Sequence, residues 1–296
     1  MTEFNDSGMT QMTAPGANPL KKYFRQPKLY ITLPSKGKWY PSGTIEMLEN
    51  GDLAVFAMTA KDELTLKTPD ALLNGQATVE IIQSCVPGIK NAWAVPSIDI
   101  DALLIAIRIA TYGENMDITV TPPGSEEEKS FALNLRELLD TMGQFDFEED
   151  VPSLGEFQVK IRPVTYKEFT SASLTTFEEE RMFRIVNDGE MEQEEKLSQF
   201  GKTFNKIRDL TVGMITDSIV SIAVDDMIVT DRMHITDFIS NADKAVFDTI
   251  TTHIDNEKKK HAIKPLKVQS EPEDIANGAP ETYTVPIAFD QSNFFA

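Results

Sequence analysis

The sequence predicts an α+β fold of two repeats, mostly helical overall, each repeat being a strand followed by helices and closed by a β-hairpin. Residues 51–64, GDLAVFAMTAKDEL, return in degenerate form at residues 155–169, GEFQVKIRPVTYKEF. Both copies alternate apolar and polar residues like a half-buried strand, and both then place a Thr ahead of an acidic residue, as at a helix N-cap. A fixed order of elements that occurs twice is typical of duplication. The alternative is two unrelated strand-to-helix junctions.

Composition narrows the class of protein. The chain has 296 residues, 41% of them hydrophobic, so it can form one large domain or two modest ones with a proper core. Its formal charge of −19 argues against nucleic acid as a partner and favours partners with basic surfaces. No apolar run approaches the ~18 residues of a membrane span and no secretory signal is recognisable. We therefore expect a soluble protein, made in the cytoplasm, that does not bind membranes.

The first 43 residues are predicted to be an N-terminal arm. Residues 1–19 are polar and lack periodicity, which is typical of a flexible segment. Residues 20–43 instead interleave six basic residues with five aromatic ones. Such a mixture can bind single-stranded nucleic acid. In an acidic protein it rather indicates an arm docked on an acidic surface, its own or a partner's.

The first repeat, residues 44–145, is organised around one helix. We predict that Ser97 is its N-cap and that Asp99 lies in its first turn, where an acid complements the helix dipole. Its Ile and Leu residues leave almost no polar face, so the helix should form the centre of the first core. Gly113 should end it as an αL cap. Arg108 is expected to pair with an acid or to stack on Tyr112.

The second repeat, residues 155–296, follows an acidic linker at residues 146–154. Two long helices are predicted, at residues 166–187 and at about 190–224. The second helix has an apolar stripe at spacings of three and four. Its members are Leu197, Phe200, Phe204, Ile207, Leu210, Met214, Ser218, Ile219 and Ile222. The stripe indicates burial against the preceding helix in a helical hairpin or, alternatively, a groove for a partner helix.

A β-hairpin is predicted at the end of each repeat. In the first repeat it joins residues 116–121 to residues 130–135. In the second it follows a helix at residues 234–261 and joins residues 265–269 to residues 282–289. Each is a pair of short alternating segments separated by a polar turn that contains Pro and Gly.

Residues typical of catalysis or metal binding form no recognisable motif. The three histidines, His234, His253 and His261, lack HExxH or HxH spacing. No Gly-x-Ser-x-Gly elbow occurs, and the one cysteine, Cys85, lies in an apolar helical run where an inert buried thiol is expected. We therefore predict a protein that is not an enzyme, that has no cofactor, metal or small-molecule ligand, and that works by binding other proteins.

Three motifs carry a resemblance to a known family: LPSKGKWYP at residues 33–41, MTAKDE at residues 58–63 and AIRIATYG at residues 106–113. In this order they resemble the baseplate hub proteins of T-even-like contractile-tail bacteriophages. The closing FDQSNFFA, residues 289–296, is similar to the end of such proteins. Relatives often have paired cysteines at the hairpin tips. The tips here, TPPGSEEE and SEPEDIANGAPE, contain none, so no zinc ribbon is expected.

The resemblance implies a non-enzymatic structural subunit of the baseplate hub. It would be located in the virion tail baseplate, after being made and assembled in the host cytoplasm, and would contact other hub and tail proteins. The alternative is a tail assembly chaperone, which would hold a hub protein and would not be retained in the virion.

Candidate partner-binding residues lie near both ends of the chain. They are Lys36, Lys38, Trp39, Tyr40, Phe294 and Phe295. Trp, Tyr and basic side chains are common among the anchors of protein interfaces. We predict that one or both ends dock on another hub protein; the alternative is that both pack on their own domain.

Overall fold

The computed structural model describes residues 23–68, 75–123, 125, 127–152, 154–188, 193–276, 278–285 and 287. Helices account for about 48% of the structure and strands for about 20%. The predicted α+β class and the predominance of helix are therefore confirmed. Among the described residues, buried apolar side chains form two clusters, a first core built chiefly from residues 31–142 and a second core built from residues 151–254.

The first half of the described chain begins with two antiparallel strands, in which Ile31 pairs with Leu53. Alternation places Ile31, Leu53 and Val55 on the buried face of this sheet, and Cys85 is fully buried beside it, as predicted. The elements in order are β1 (Pro27–Ile31), β2 (Leu53–Phe56), α1 (Ala60–Leu66), α2 (Gln76–Cys85), a 3-10 turn (Ala92–Ala94), α3 (Ser97–Tyr112), β3 (Asn115–Val120), β4 (Lys129–Asn134) and α4 (Leu135–Met142).

Helix α3 forms the centre of the first core, as predicted from its lack of a polar face. Twelve of its 16 residues are buried, and Ile105 and Ile107 are completely enclosed. The guanidinium carbon of Arg108 lies 5.1 Å from the centre of the Tyr112 ring, so the predicted stacking is present.

The ends of α3 differ from the prediction. Ser97 is the first helical residue and Pro96 is the N-cap, without a side-chain hydrogen bond. Tertiary pairing decides this, because the Ser97 amide donates to the carbonyl of Val164 at 2.8 Å. Gly113 does end the helix, but its φ of 96° and ψ of 179° lie outside the αL region. The positive φ still favours glycine there.

The second core is built on a three-stranded antiparallel sheet in the order β5–β6–β7. Val159 pairs with Ile222, which also pairs with Val229. The elements in order are β5 (Phe157–Ile161), α5 (Tyr166–Asp188), α6 (Gln193–Ser218), β6 (Ile219–Val224), β7 (Met227–Val229), α7 (Arg232–Asn241), α8 (Lys244–His261), β8 (Leu266–Gln269), α9 (Pro272–Ala276) and β9 (Thr282–Val285).

Two predicted helices in this half end elsewhere. The helix predicted to reach residue 224 ends at Ser218, and the following IVSIAV is a strand. Branched side chains pack well on a sheet, and pairing with β5 overrides their helical spacing. The helix predicted at residues 234–261 is two helices, because Ala242 is extended and Asp243 is the N-cap of a new one.

Both predicted hairpins are present, as β3–β4 and β8–β9, although residues 286, 288 and 289 lie outside the described part. The ammonium of Lys129 on β4 lies 2.8 Å from Glu271 and 2.7 Å from Asp274. These ion pairs join the hairpin of the first half to that of the second.

The two-repeat architecture is not confirmed. Both strand-to-helix junctions do form the same capping box: Thr59 and Asp62 bond reciprocally, and so do Thr165 and Glu168, at 2.7 and 3.3 Å in each case. The strands before them pair differently, however. The partner of β2 is β1, which precedes it, whereas the partner of β5 is β6, which follows two long helices.

Candidate functional site

The LPSKGKWYP segment folds as a compact turn. The Lys36 amide donates to Leu33 at 2.9 Å, and the Lys38 amide donates to Ser35 at 3.1 Å. Lys36 and Trp39 both have positive φ, 54° and 64°. Residues with side chains seldom adopt that region. The turn therefore depends on contacts with the rest of the protein to hold its shape.

Asp99 of α3 supplies the main contact. One carboxylate oxygen accepts from the Ser35 amide at 2.8 Å, and the other accepts from the Ser35 hydroxyl at 2.5 Å and from the Tyr40 hydroxyl at 2.9 Å. Asp99 is 0% exposed. Sequence reasoning assigned this acid to the helix dipole, whereas its side chain anchors the turn. An acid inside an otherwise apolar helix was the signal for this role.

Burial governs the ionisation of this cluster. It raises the pKa of Asp99 to about 6, although the hydrogen bonds from Ser35 and Tyr40 act in the opposite direction. Burial also raises the pKa of Tyr40, and the charge of Asp99 adds to the effect. The Tyr40 phenol therefore stays protonated and donates to the carboxylate. An enclosed, fully bonded carboxylate of this kind serves to fix the chain.

The outer side of the turn contacts residues 146–149. The Lys36 ammonium lies 2.6 Å from Asp146, and the Lys38 ammonium lies 3.8 Å from Glu149. Both lysine side chains are more than half exposed, so water screens these ion pairs and they contribute little to stability. The Trp39 ring packs edge-on against Phe147 with centroids 5.2 Å apart. Three of the four predicted residues here thus have partners on residues 146–149, and Tyr40 has its partner on α3.

The other two motifs meet at the opposite end of α3. The amide of Met58, which opens MTAKDE, donates to the Thr111 hydroxyl of AIRIATYG at 3.0 Å. Arg25, which sequence reasoning did not single out, lies beside this junction. Its guanidinium donates to the carbonyls of Ala57 at 2.6 Å and Ser84 at 2.5 Å. All three motifs are therefore held together by one buried helix.

A family model described as T4 bacteriophage base plate protein matches residues 31–270. The chain belongs to this family. The matched range contains the three motifs, α3 and both cores. No curated protein and no solved structure matches the chain. Membership of the family indicates a structural role in the tail baseplate and contacts with other phage tail proteins.

Exposed apolar side chains of this baseplate protein occur on the α5–α6 hairpin. The two helices pack against each other, and the Lys206 ammonium is 2.8 Å from Glu179 across the pair. Phe177 on α5 and Phe204 on α6 are nevertheless 57% and 70% exposed, and Ile207 is 42% exposed. We name the side chains of these three residues the hairpin patch. The predicted stripe thus divides: Ile219 and Ile222 enter the second core, while Phe204 and Ile207 do not.

Other site classes have no candidate among the described residues. No group of three or more His, Cys, Asp or Glu side chains in that part of the chain could hold a metal ion. No helix described by the structure is both long and apolar enough to cross a membrane. Phe294 and Phe295 of the predicted partner site lie outside the described residues.

Proposed function

We propose that this protein is a non-enzymatic structural subunit of the phage baseplate hub. The family match supports a baseplate role, and the three motifs that resemble hub proteins favour the hub. The observation that carries the proposal is the enclosure of Asp99 by Ser35 and Tyr40. The most distinctive motif of the chain packs around Asp99 of α3, which is 0% exposed, and leaves no open cleft at this carboxylate.

The hairpin patch is the surface proposed to bind a neighbouring tail protein. Exposed aromatic side chains in a cluster are typical of interaction sites. Neither hydrophobic core includes Phe177, Phe204 or Ile207. These side chains therefore contribute little to folding of the described chain and can contribute their apolar area to an interface.

The predicted partner residues near the N-terminus belong to the same proposal. The Lys36 and Lys38 side chains are 55% and 59% exposed and can reach an acidic neighbour. Trp39 and Tyr40 would act by holding the turn that presents these lysines. A Lys36→Ala, Lys38→Ala double variant that folds normally is expected to assemble less efficiently with hub proteins. A Phe294→Ala, Phe295→Ala variant tests the other end of the chain in the same assay.

The test of the subunit role is the amount of this polypeptide in purified mature virions. A fixed number of copies per tail is expected if the protein is a hub subunit made and assembled in the host cytoplasm. Its presence in lysate intermediates together with its absence from virions would overturn the proposal in favour of an assembly chaperone.

A further inference from the structure

A half-open pocket of about 290 Å³ lies between α3, α5, α6 and the C-terminal end of α8. Ile98 and Ile100 of α3 and Met214 of α6 line it with apolar side chains, and Phe169 of α5 adds an aromatic ring that is 49% exposed. A cavity of about 150 Å³ holds benzene, whereas sites for drug-sized ligands usually measure about 300–1,000 Å³. The size of this pocket therefore suits one long side chain of another protein.

Asp101 of α3 lines the pocket with a carboxylate that lacks a counter-charge. The residue is partly buried, and within the described part of the chain its carboxylate has no hydrogen bond and no ion pair. Asp99, two residues earlier, instead receives three hydrogen bonds. Burial raises the pKa of Asp101, because an unpaired carboxylate is costly to ionise away from water. A cation that enters the pocket would remove this cost.

His261, the last residue of α8, is a second polar group of the pocket that lacks a partner. It is 7% exposed, and among the described residues neither ring nitrogen has a hydrogen bond. The carboxylate of Glu257 lies 3.7 Å from Nε2, which is too far for one. Burial lowers the pKa of His261, so at pH 7 the imidazole is neutral and one of its nitrogens can accept. Because buried polar atoms are nearly always bonded, a donor is expected in the pocket.

The charges around the pocket favour a cation over an anion. Lys258 also lines the pocket, but Asp255 on the same helix lies 4.0 Å from its ammonium and opposes its charge. Asp101 has no such neighbour in the described part of the chain. The formal charge of −19 favours basic partners for the chain as a whole.

A guanidinium fits these surroundings better than an ammonium. Its planar fork of N–H donors matches a carboxylate, and its face can stack on an aromatic ring such as that of Phe169. Further N–H groups remain to donate to an imidazole. The methylene stem of an arginine packs favourably on apolar walls.

We propose that the pocket binds an arginine side chain of a neighbouring tail protein. The guanidinium pairs with the Asp101 carboxylate and donates to His261, and the methylene stem packs against Ile98 and Met214. This assignment rests on the proposed function only for the source of the arginine, because the pocket is a property of this chain alone.

Titration of the full chain with n-butylguanidinium and with its neutral isostere n-butylurea tests the chemistry of the pocket. The ¹³C-methyl NMR signal of Met214 reports binding, and that of Met233, which is 79% exposed on α7, is the control. The guanidinium is expected to half-saturate the Met214 shift at a concentration at least about five-fold lower than the urea, because a charge-assisted bond to a carboxylate is stronger than a neutral one. The Met233 signal should not shift.

An Asp101→Asn variant is expected to lose this preference and to fold normally, since the carboxylate has no partner to lose among the described residues. Asp117→Asn, at an exposed position on β3, removes the same charge and should keep the preference. Equal affinity of the wild-type chain for the two compounds would overturn the proposal, and so would a preference that survives Asp101→Asn. Tighter binding of n-pentanoate would assign the pocket to Lys258 and would also overturn it.

Co-assembly with hub proteins tests the source of the arginine. Asp101→Asn should bind them at least about ten-fold more weakly than Asp117→Asn, the usual range for one anchor. Equal co-assembly would overturn the assignment to a neighbouring protein. Self-association of the chain that Asp101→Asn abolishes, measured by sedimentation, would also overturn it and would place the arginine on a second copy. Retention in virions is a separate measurement, so this assignment can fail while the subunit role holds.

Discussion

The first core and the α5–α6 hairpin use apolar helical sequence in opposite ways. Helix α3 is apolar on nearly every side, and 12 of its 16 residues are buried. Helix α6 has an apolar stripe on an otherwise polar helix, and Phe204 and Ile207 on that stripe are exposed. The capping box at Thr59 begins α1, two helices before α3, and the one at Thr165 begins α5, the helix before α6. The difference teaches that local junction signals do not decide what a later helix packs against.

The physical reason lies in how much of each helix belongs to a core. Helix α3 contacts β1, β2, α2, α4 and α5, and most of its residues are buried. Helix α6 contacts α5, α7, α8 and β6, but the second core includes only residues near its C-terminal end, such as Val212 and Ile215. Four changes test this contrast, from the largest expected effect to the smallest.

Ile105→Ala should lower the free energy of unfolding by about 2–5 kcal/mol, because it leaves a cavity in the centre of the first core. Ile207→Ala on α6 is the matched control and should cost less than about 1 kcal/mol. Denaturant unfolding of both variants measures the difference. Equal losses would show that the two helices are equally buried.

Asp99→Asn should reveal the ionisation of the anchoring carboxylate. The folded pKa of about 6 lies above the unfolded value of about 3.9. A raised carboxyl pKa contributes stability that is full below about pH 4 and is lost as the pH rises through 6. The advantage of wild type over the variant should therefore fall by roughly 2–3 kcal/mol between pH 4 and pH 7, at about 1.36 kcal/mol per pKa unit.

Urea unfolding of wild type and the variant at several pH values measures this difference in the free energy of unfolding. The contributions of other titratable groups are the same in both proteins and cancel. A difference that does not change with pH would mean that Asp99 is not enclosed in solution. At any pH the variant should be less stable, because the Asn amide cannot accept from Ser35 and Tyr40 as the carboxylate does.

Phe204→Ser should weaken co-assembly with hub proteins by about 2 kcal/mol or more if the hairpin patch is an interface anchor. Its stability should change by no more than about 0.5 kcal/mol, because Phe204 is 70% exposed. Asn205→Ala, at an exposed neighbouring position, is the control. Assembly of Phe204→Ser at the control level would exclude the hairpin patch as the proposed interface.

Thr59→Ala and Thr165→Ala should each cost about 1 kcal/mol, the usual effect of losing an N-cap. The two losses should agree closely, since both capping boxes have the same distances. Thermal unfolding of the two variants measures them. A much larger loss at one position would show that this junction depends on tertiary contacts which the other lacks.

The sequence by itself determined the features that depend on neighbours along the chain. Alternation predicted both closing hairpins, the Thr ahead of an acid predicted both helix N-caps, and the absence of a polar face predicted the burial of α3. The family motifs were also recognisable in the sequence, because each is a run of contiguous residues. All of these signals are contained in short segments of the chain.

Only the tertiary structure decided the rest. Residues 219–224 have apolar residues at helical spacing, but they form a strand because they pair with the edge of β5. From its sequence position alone, Asp99 is an ordinary acid in the first turn of a helix. In the structure its carboxylate is enclosed by Ser35 and Tyr40, which are about 60 residues away along the chain. The exposure of Phe204 likewise depends on how the other elements pack, because none of them covers its side chain. Partners distant in sequence set these outcomes, because hydrogen bonding and burial depend on distance in space.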